Sequence, residues 1–75
     1  MINIIKNFLT RNTGNQYNND LLKMNVYDVG LDSLLLVGLI VELEANSGKI
    51  LPEDKLEKMI SEDFTFEEII NAFGE

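Results

Sequence analysis

The chain of 75 residues contains no cysteine, no histidine and no tryptophan, and it has a single proline. Without cysteine it can form no disulfide, no thiolate metal site and no cysteine nucleophile. Without histidine it lacks the usual general base and the commonest transition-metal ligand. A catalytic triad is therefore out of reach. This inventory predicts a protein that is not an enzyme, holds no metal site of its own and needs a group that it does not encode.

Long apolar runs are missing as well. The longest extends from Leu34 to Val41 and is interrupted by Gly38, whereas a membrane-spanning helix needs about 20 apolar residues. Residues 1–6 lack the basic leader of a secretory signal, and no small-residue cleavage site follows them. We therefore expect a cytoplasmic protein with no membrane partner.

Positive charge is scarce, and the excess of negative charge is unevenly placed. The chain has 13 acidic and 6 basic residues, so its formal net charge is −7. Residues 1–32 carry three of each sign, and residues 33–75 carry ten acids and three bases. Such a field repels phosphate backbones and speeds the encounter with basic proteins. The charge predicts no nucleic-acid partner and favours partners with basic surfaces.

Four helical segments are predicted, in one domain over residues 1–75. Ile2, Ile5, Phe8 and Leu9 recur at helical spacing and predict a first helix over 2–11. An Asn-rich connection of about twenty residues follows, and its scattered apolar residues favour an ordered loop pinned to the core. We expect one turn in it to begin at Asp20, and we expect Tyr17 and Tyr27 to anchor it.

The other three helices have their own start and stop signals. The second begins at Asp32 and Ser33, two good N-cap residues, and extends to about Asn46 before the stop signal of Gly48. The third starts at Pro52 and continues through Met59. The fourth opens with a capping box formed by Thr65 and Glu68, and Phe64 can pack against Ile69. The predicted fold is all-α, a small four-helix bundle with a long first loop and a short third helix.

The second helix has more apolar surface than the bundle can cover. Four of its residues form one core stripe at helical spacing: Leu36, Leu39, Ile40 and Leu43. Leu34, Val37 and Val41 lie on a different face, with Leu35 beside them. A chain of this size cannot surround a helix that is apolar on all sides. Either part of this second face is a partner site, or the long loop folds over Leu34 or Leu35.

Ser33 stands at the N-terminus of this apolar helix. Free N–H groups and the helix dipole favour a phosphate there, and Gly30 leaves room for another molecule to approach. Asp32 could hold a divalent cation that arrives with a phosphate donor. The simpler interpretation is that Asp32 and Ser33 only cap the helix.

From Val26 to Phe73 the chain resembles the acyl carrier protein family, which includes the aminoacyl and peptidyl carriers of nonribosomal synthesis. The resemblance rests on residues 30–34 (Gly-Leu-Asp-Ser-Leu) and on the apolar positions of the second helix with its two acids. It continues through Gly48, Ile50 and Pro52 to a last helix that begins with Thr. Residues before Val26 match only in the placement of a helix.

The resemblance implies a cofactor and a site. In this family the serine that matches Ser33 is esterified with 4′-phosphopantetheine, which a separate transferase takes from coenzyme A. The Asp that precedes it, here Asp32, helps to bind Mg²⁺ during the transfer. The arm ends in a thiol that carries the substrate as a thioester. We expect Ser33, Asp32 and Leu34 to form the cofactor site.

The resemblance also implies partners. The second helix, the adjoining loop and the third helix dock onto the phosphopantetheinyl transferase and onto loading and condensing enzymes with basic surfaces. The expected docking residues are Leu35, Val37, Val41, Glu42, Glu44 and Glu53. The acids of this region can equally be a solvated face with no docking role. We expect the carrier to act as a monomer.

Departures from the fatty-acid carriers bear on the pathway. Those proteins place acids where this chain has Leu35 and Gly38. The Ser-Leu-Leu sequence and the slightly longer stretch from Ile60 to Phe64 resemble carriers of polyketide or nonribosomal peptide pathways, and we favour such a specialised carrier. The overall acidity favours the alternative, a carrier of type II fatty-acid synthesis. A third interpretation is an unmodified helical adaptor.

Overall fold

The computed structural model describes residues 1–74, and within that range it contains helices and turns but no strand. The predicted all-α fold of four helices, with a long first connection and a short third helix, is confirmed. The helices are α1 (Ile2–Thr13), α2 (Ser33–Ser47), α3 (Glu53–Ser61) and α4 (Phe66–Ala72). Two 3₁₀ turns, Asn19–Lys23 and Val26–Val29, lie in the connection between α1 and α2.

Local signals define the start and end of α2 and the start of α4. The Asp32 carboxylate accepts the N–H of Leu35 at 2.8 Å, and Gly48 ends α2 in the left-handed conformation at φ 73°. In α4, the N–H of Glu68 donates to Thr65 Oγ1 at 3.2 Å, and the Glu68 carboxylate accepts the N–H of Thr65 at 3.3 Å. The predicted caps of both helices are confirmed.

Two helices extend beyond their predicted ends. α1 continues past residue 11 to Thr13, and α3 continues past Met59 to Ser61. Polar side chains in these last turns donate to carbonyl groups one turn earlier, from Thr13 Oγ1 to the Leu9 oxygen at 2.7 Å and from Ser61 Oγ to the Glu57 oxygen at 2.9 Å. Residues whose composition is typical of loops are therefore accommodated in helices.

The core is apolar and draws on every helix. The predicted stripe of Leu36, Leu39, Ile40 and Leu43 is fully buried, at 1% exposure or less. It belongs to one cluster with buried residues of the other three helices, namely Ile5, Phe8, Leu9, Met59, Phe66 and Ile69. The core therefore fixes which side of α2 faces inward and which side remains for other contacts.

The long connection is ordered and tied to the core, as predicted. Its apolar residues Leu21, Val26, Val29 and Leu31 are buried. The Tyr27 hydroxyl donates to the Ile60 oxygen at 2.8 Å, so this loop is also tied to the end of α3. The second 3₁₀ turn ends at Gly30, whose φ of 93° is in the left-handed region. The loop therefore delivers the chain to the start of α2 in a fixed position.

None of the helices in residues 1–74 has the length and the apolar character needed to cross a membrane.

Candidate functional site

Ser33 is the first residue of α2, and its side chain is exposed. Buried Leu31 anchors the backbone two residues earlier, and Asp32 is extended, with φ −107° and ψ −179°. Within residues 1–74 the Ser33 hydroxyl makes no hydrogen bond. The other two serines differ, because Ser47 Oγ accepts the N–H of Lys49 at 3.2 Å and Ser61 Oγ donates to a carbonyl group. Ser33 thus presents an accessible hydroxyl, and its modification would break no hydrogen bond within residues 1–74.

The backbone around Ser33 favours an anion. The Asp32 carboxylate satisfies the N–H of Leu35, and the Asp32 carbonyl accepts the N–H of Leu36 at 2.9 Å. The N–H groups of Ser33 and Leu34 have no acceptor among the residues that the structure describes. Free N–H groups at the positive end of a helix dipole attract phosphate. The start of α2 can therefore stabilise a phosphate joined to the Ser33 oxygen.

Asp32 has one carboxylate oxygen in the cap and a second oxygen with no bond to residues 1–74. Its side chain is exposed beside Ser33. A carboxylate oxygen is a ligand that Mg²⁺ prefers. The second oxygen can therefore coordinate a cation while the first oxygen keeps its hydrogen bond to the N–H of Leu35.

The second face of α2 is partly exposed. Leu34 is 78% exposed and Val41 is 56% exposed, whereas Leu35 and Val37 are half-buried. Leu35 packs against the core cluster, whereas Leu34 remains open to solvent, so a covering loop does not enclose Leu34. Leu34, Gly38, Val41 and Ala45 share the outer side of α2 at helical spacing, and all four are exposed. An uncharged stripe therefore continues along α2 from Ser33.

The three acids expected at the docking surface have different environments. Arg11 Nη2 contacts both oxygens of Glu42, at 2.8 and 2.7 Å. Glu44 Oε2 accepts the N–H of Leu51 at 2.8 Å and thereby fixes the loop after α2. Glu53 is exposed at the start of α3 and makes no such bond within residues 1–74. Of these three acids, Glu53 presents the carboxylate that is most available to another molecule.

Ile50 is an exposed apolar residue that sequence reasoning did not single out as a surface position. It lies in the loop between α2 and α3 and is 80% exposed, while its neighbour Leu51 is buried. The pattern Lys-Ile-Leu-Pro does not indicate which of the two apolar side chains turns inward. The bond from Leu51 to Glu44 decides it, and this bond forms only in the folded chain.

A four-helix bundle of this size, with a long first connection and a serine at the start of its second helix, has the architecture of an acyl-carrier-type protein. The family model described as a phosphopantetheine attachment site matches residues 9–63. The chain belongs to this family, whose members bind 4′-phosphopantetheine covalently and are carriers, not enzymes. Membership also implies interaction with a phosphopantetheinyl transferase and with acyl-processing enzymes. Searches of curated proteins and of solved structures each returned no match.

Proposed function

We propose that Ser33 is the attachment residue and that the chain carries acyl or aminoacyl intermediates as thioesters to partner enzymes. The observation that carries this proposal is the exposed Ser33 hydroxyl at the N-terminus of α2, free of any bond within residues 1–74. The bound group would supply the thiol that a chain without cysteine lacks.

The chain's own residues have separate roles in this proposal. The Ser33 oxygen would give its proton to a base of the separate transferase and form an ester bond to the phosphate next to pantetheine, while the pyrophosphate bond of coenzyme A would break and adenosine 3′,5′-bisphosphate would leave. The free N–H groups of Ser33 and Leu34 stabilise the phosphate charge. Asp32 would help to hold the divalent cation that accompanies the donor. Leu34, which is exposed beside Ser33, would lie next to the base of the arm.

Intact-mass spectrometry tests the attachment residue. The protein is incubated with coenzyme A and a broad-specificity phosphopantetheinyl transferase that is active on a reference carrier. We expect the wild type and Ser61→Ala to gain the mass of one phosphopantetheine group, because Ser61 is exposed but bonded within α3. We expect Ser33→Ala to gain none. Modification of Ser33→Ala, or no modification of the wild type, would contradict the proposal.

We propose that docking combines the uncharged side of α2 with the acids of α3. The apolar contacts come from Leu34, Leu35, Val37 and Val41. Glu53 provides a free carboxylate for direct pairing, whereas Glu42 and Glu44 add to the negative field while they remain bonded within the chain. Apolar contacts hold such a complex and charges speed its formation.

We favour a specialised pathway of the polyketide or nonribosomal peptide type. The support is that two positions where fatty-acid carriers place acids hold Leu35, which is half-buried against the core, and Gly38, which is exposed. The net charge of −7 supports the alternative, a carrier of type II fatty-acid synthesis. Loading of the modified protein by amino-acid-adenylating enzymes would support the specialised pathway, whereas extension of a saturated acyl chain on it by fatty-acid synthesis enzymes would support the alternative.

The remaining candidate is an unmodified adaptor, which the exposed Leu34 and Val41 would also suit. It predicts partner binding without any mass gain in the transferase assay. For the carrier we propose one domain over residues 1–75 that acts as a monomer, which sedimentation equilibrium tests directly.

A further inference from the structure

A groove of about 420 Å³ lies between α3 and α4, apart from Ser33 and from every residue of α2. Its apolar lining comes from Met59, Phe64 and Ala72, and its polar lining comes from Lys55, Lys58, Glu68 and Asn71. Pockets that take ligands or anchor side chains have volumes of roughly 300–1,000 Å³. The groove is therefore large enough to receive bulky side chains of another molecule.

The lining of the groove contains two lysines and one acid, in a chain whose net charge is −7. Three of the six cations are engaged within the chain: Lys6 Nζ donates to Asn19 at 2.7 Å, Arg11 pairs with Glu42, and Lys49 Nζ donates to the Phe73 oxygen at 2.9 Å. Among residues 1–74, the cations without such a bond are Lys23, Lys55 and Lys58. Two of these three line the same groove.

The acid in the groove does not neutralise these lysines. Glu68 Oε1 accepts from both the N–H and the hydroxyl of Thr65, at 3.3 and 3.2 Å, as part of the α4 cap. No ion pair joins Glu68 to Lys55 or Lys58 within the described part of the chain. The rim lysines therefore remain available to carboxylates from outside.

Helix stability does not account for Lys55. It is the third residue of α3, near the positive end of the helix dipole, where a cation is unfavourable. Lys55 and Lys58 share one side of α3 at helical spacing, whereas Glu53 and Glu57 share another. Asp54 lies one turn before Lys58 and flanks this side of α3, but it does not line the groove as the two lysines do.

We propose that the α3–α4 groove binds a protein segment that combines carboxylates with bulky apolar side chains. The lysines would pair with the carboxylates. Phe64 and Ala72, which are half-buried, would contact the apolar side chains above the buried Met59. Because the lining contains no residue of α2, a partner in this groove leaves Ser33 and the exposed side of α2 free. A carrier with two such surfaces could be held by an acidic partner while a basic enzyme acts at Ser33.

Amide chemical shifts of the ¹⁵N-labelled full chain test this surface. The probe is a blocked ten-residue peptide of alternating Glu and Leu, and the control is the same peptide with Lys in place of Glu. We expect the acidic peptide to cause saturable shifts at Lys55, Lys58, Phe64 and Asn71. We expect the basic peptide to cause none at these positions. Absence of saturation, or acidic-peptide shifts confined to α2, would overturn the proposal.

Two charge-reversal variants make the test specific. We expect Lys58→Glu to weaken binding of the acidic peptide by about tenfold or more, because it replaces an attraction with a repulsion at the rim. Lys23→Glu makes the same change in net charge outside the groove lining, and it should weaken binding by less than about twofold. Unchanged thermal unfolding midpoints verify that both variants are folded. Equal weakening by the two variants would show a general charge effect and overturn the proposal.

Discussion

Asp32 has two separable roles at the start of α2. One carboxylate oxygen caps the helix at 2.8 Å from the Leu35 nitrogen, and the charge of the group is what would hold a cation. Asparagine caps a helix about as well as aspartate but carries no charge, whereas alanine can do neither. Substitutions at this residue can therefore distinguish stability from phosphopantetheine transfer.

We expect Asp32→Asn to change the free energy of unfolding by less than about 0.5 kcal/mol and Asp32→Ala to lower it by about 1 kcal/mol. We expect both variants to be modified by the transferase at least about tenfold more slowly, because both lose the charge that binds the cation. Urea unfolding and a timed mass assay measure the two effects. Wild-type rates in Asp32→Asn would exclude a role for the Asp32 charge.

At the residue scale, the sequence predicts those features that depend on residues close together along the chain. The Asp32 cap, the Thr65–Glu68 box and the position of Ser33 follow from side chains within a few residues of each other. The Arg11–Glu42 pair joins residues 31 positions apart, and the Glu44–Leu51 bond depends on how the loop after α2 closes. Neither leaves a local signal, so the sequence predicted Glu42 and Glu44 as docking residues or as part of a solvated face, and it did not predict their bonds within the chain.

At the element scale, α2 must be both packed and accessible, and the glycine within it contributes differently from the glycine in the turn before it. Gly38 has ordinary helical backbone, and an added Cβ would lie 3.6 Å from Cζ of Phe8, an ordinary van der Waals contact. Gly30 has a φ of 93°, which side chains of L-residues disfavour. The first glycine is therefore replaceable and the second is required by the turn.

We expect Gly38→Ala to raise the free energy of unfolding by about 0.5–1 kcal/mol, because alanine loses less backbone entropy in a helix. We expect Gly30→Ala to lower it by about 1–2 kcal/mol. Denaturant unfolding monitored by circular dichroism compares the two variants with the wild type. A destabilised Gly38→Ala would show that α1 and α2 approach more closely than the 3.6 Å contact implies.

Val41 tests whether the exposed side of α2 serves binding and not folding. We expect Val41→Asp to change the free energy of unfolding by less than about 0.5 kcal/mol, since the residue is 56% exposed. The variant should weaken association with the transferase, because a charge replaces an apolar contact. Leu36→Ala, at a fully buried position of the same helix, should instead cost about 2–5 kcal/mol. Unfolding of Val41→Asp would contradict this assignment.

The periodic pattern predicts the four helices but not the Val26–Val29 turn. The apolar residues of this segment indicate only that it contacts the core. Its shape depends on partners far along the chain, since the N–H of Val26 donates to the Phe64 oxygen at 2.8 Å and Tyr27 bonds to Ile60. The geometry of this turn therefore depends on residues more than thirty positions away, which its local sequence does not contain.

At the scale of the whole molecule, some charges attract partners over a distance and others form bonds within the fold. The net charge of −7 attracts basic partners over a distance that falls from about 30 Å at 0.01 M salt to about 10 Å at 0.1 M. Within this field, Glu53 is free and Glu42 is paired with Arg11. The two residues form a matched pair for measuring direct docking.

We expect Glu53→Gln to lower the rate of association with the transferase by about two- to fivefold at low salt and to reduce its salt dependence. Glu42→Gln removes the same charge from a carboxylate that Arg11 already neutralises, so we expect a smaller loss of rate. It should also lower the free energy of unfolding by at most about 1 kcal/mol. Stopped-flow association at several salt concentrations makes the comparison. A larger loss of rate in Glu42→Gln would reverse the assignment.

The most direct test of the account is to locate the phosphopantetheine group along the chain. The wild-type protein is modified by the transferase, and its backbone is fragmented in a mass spectrometer under conditions that keep the phosphoester intact. We predict that the added mass begins at the fragment that first includes Ser33 and is absent from the fragment that ends at Asp32. Added mass that begins at Ser47, Ser61 or any other residue would contradict the claim that the start of α2 is the attachment site.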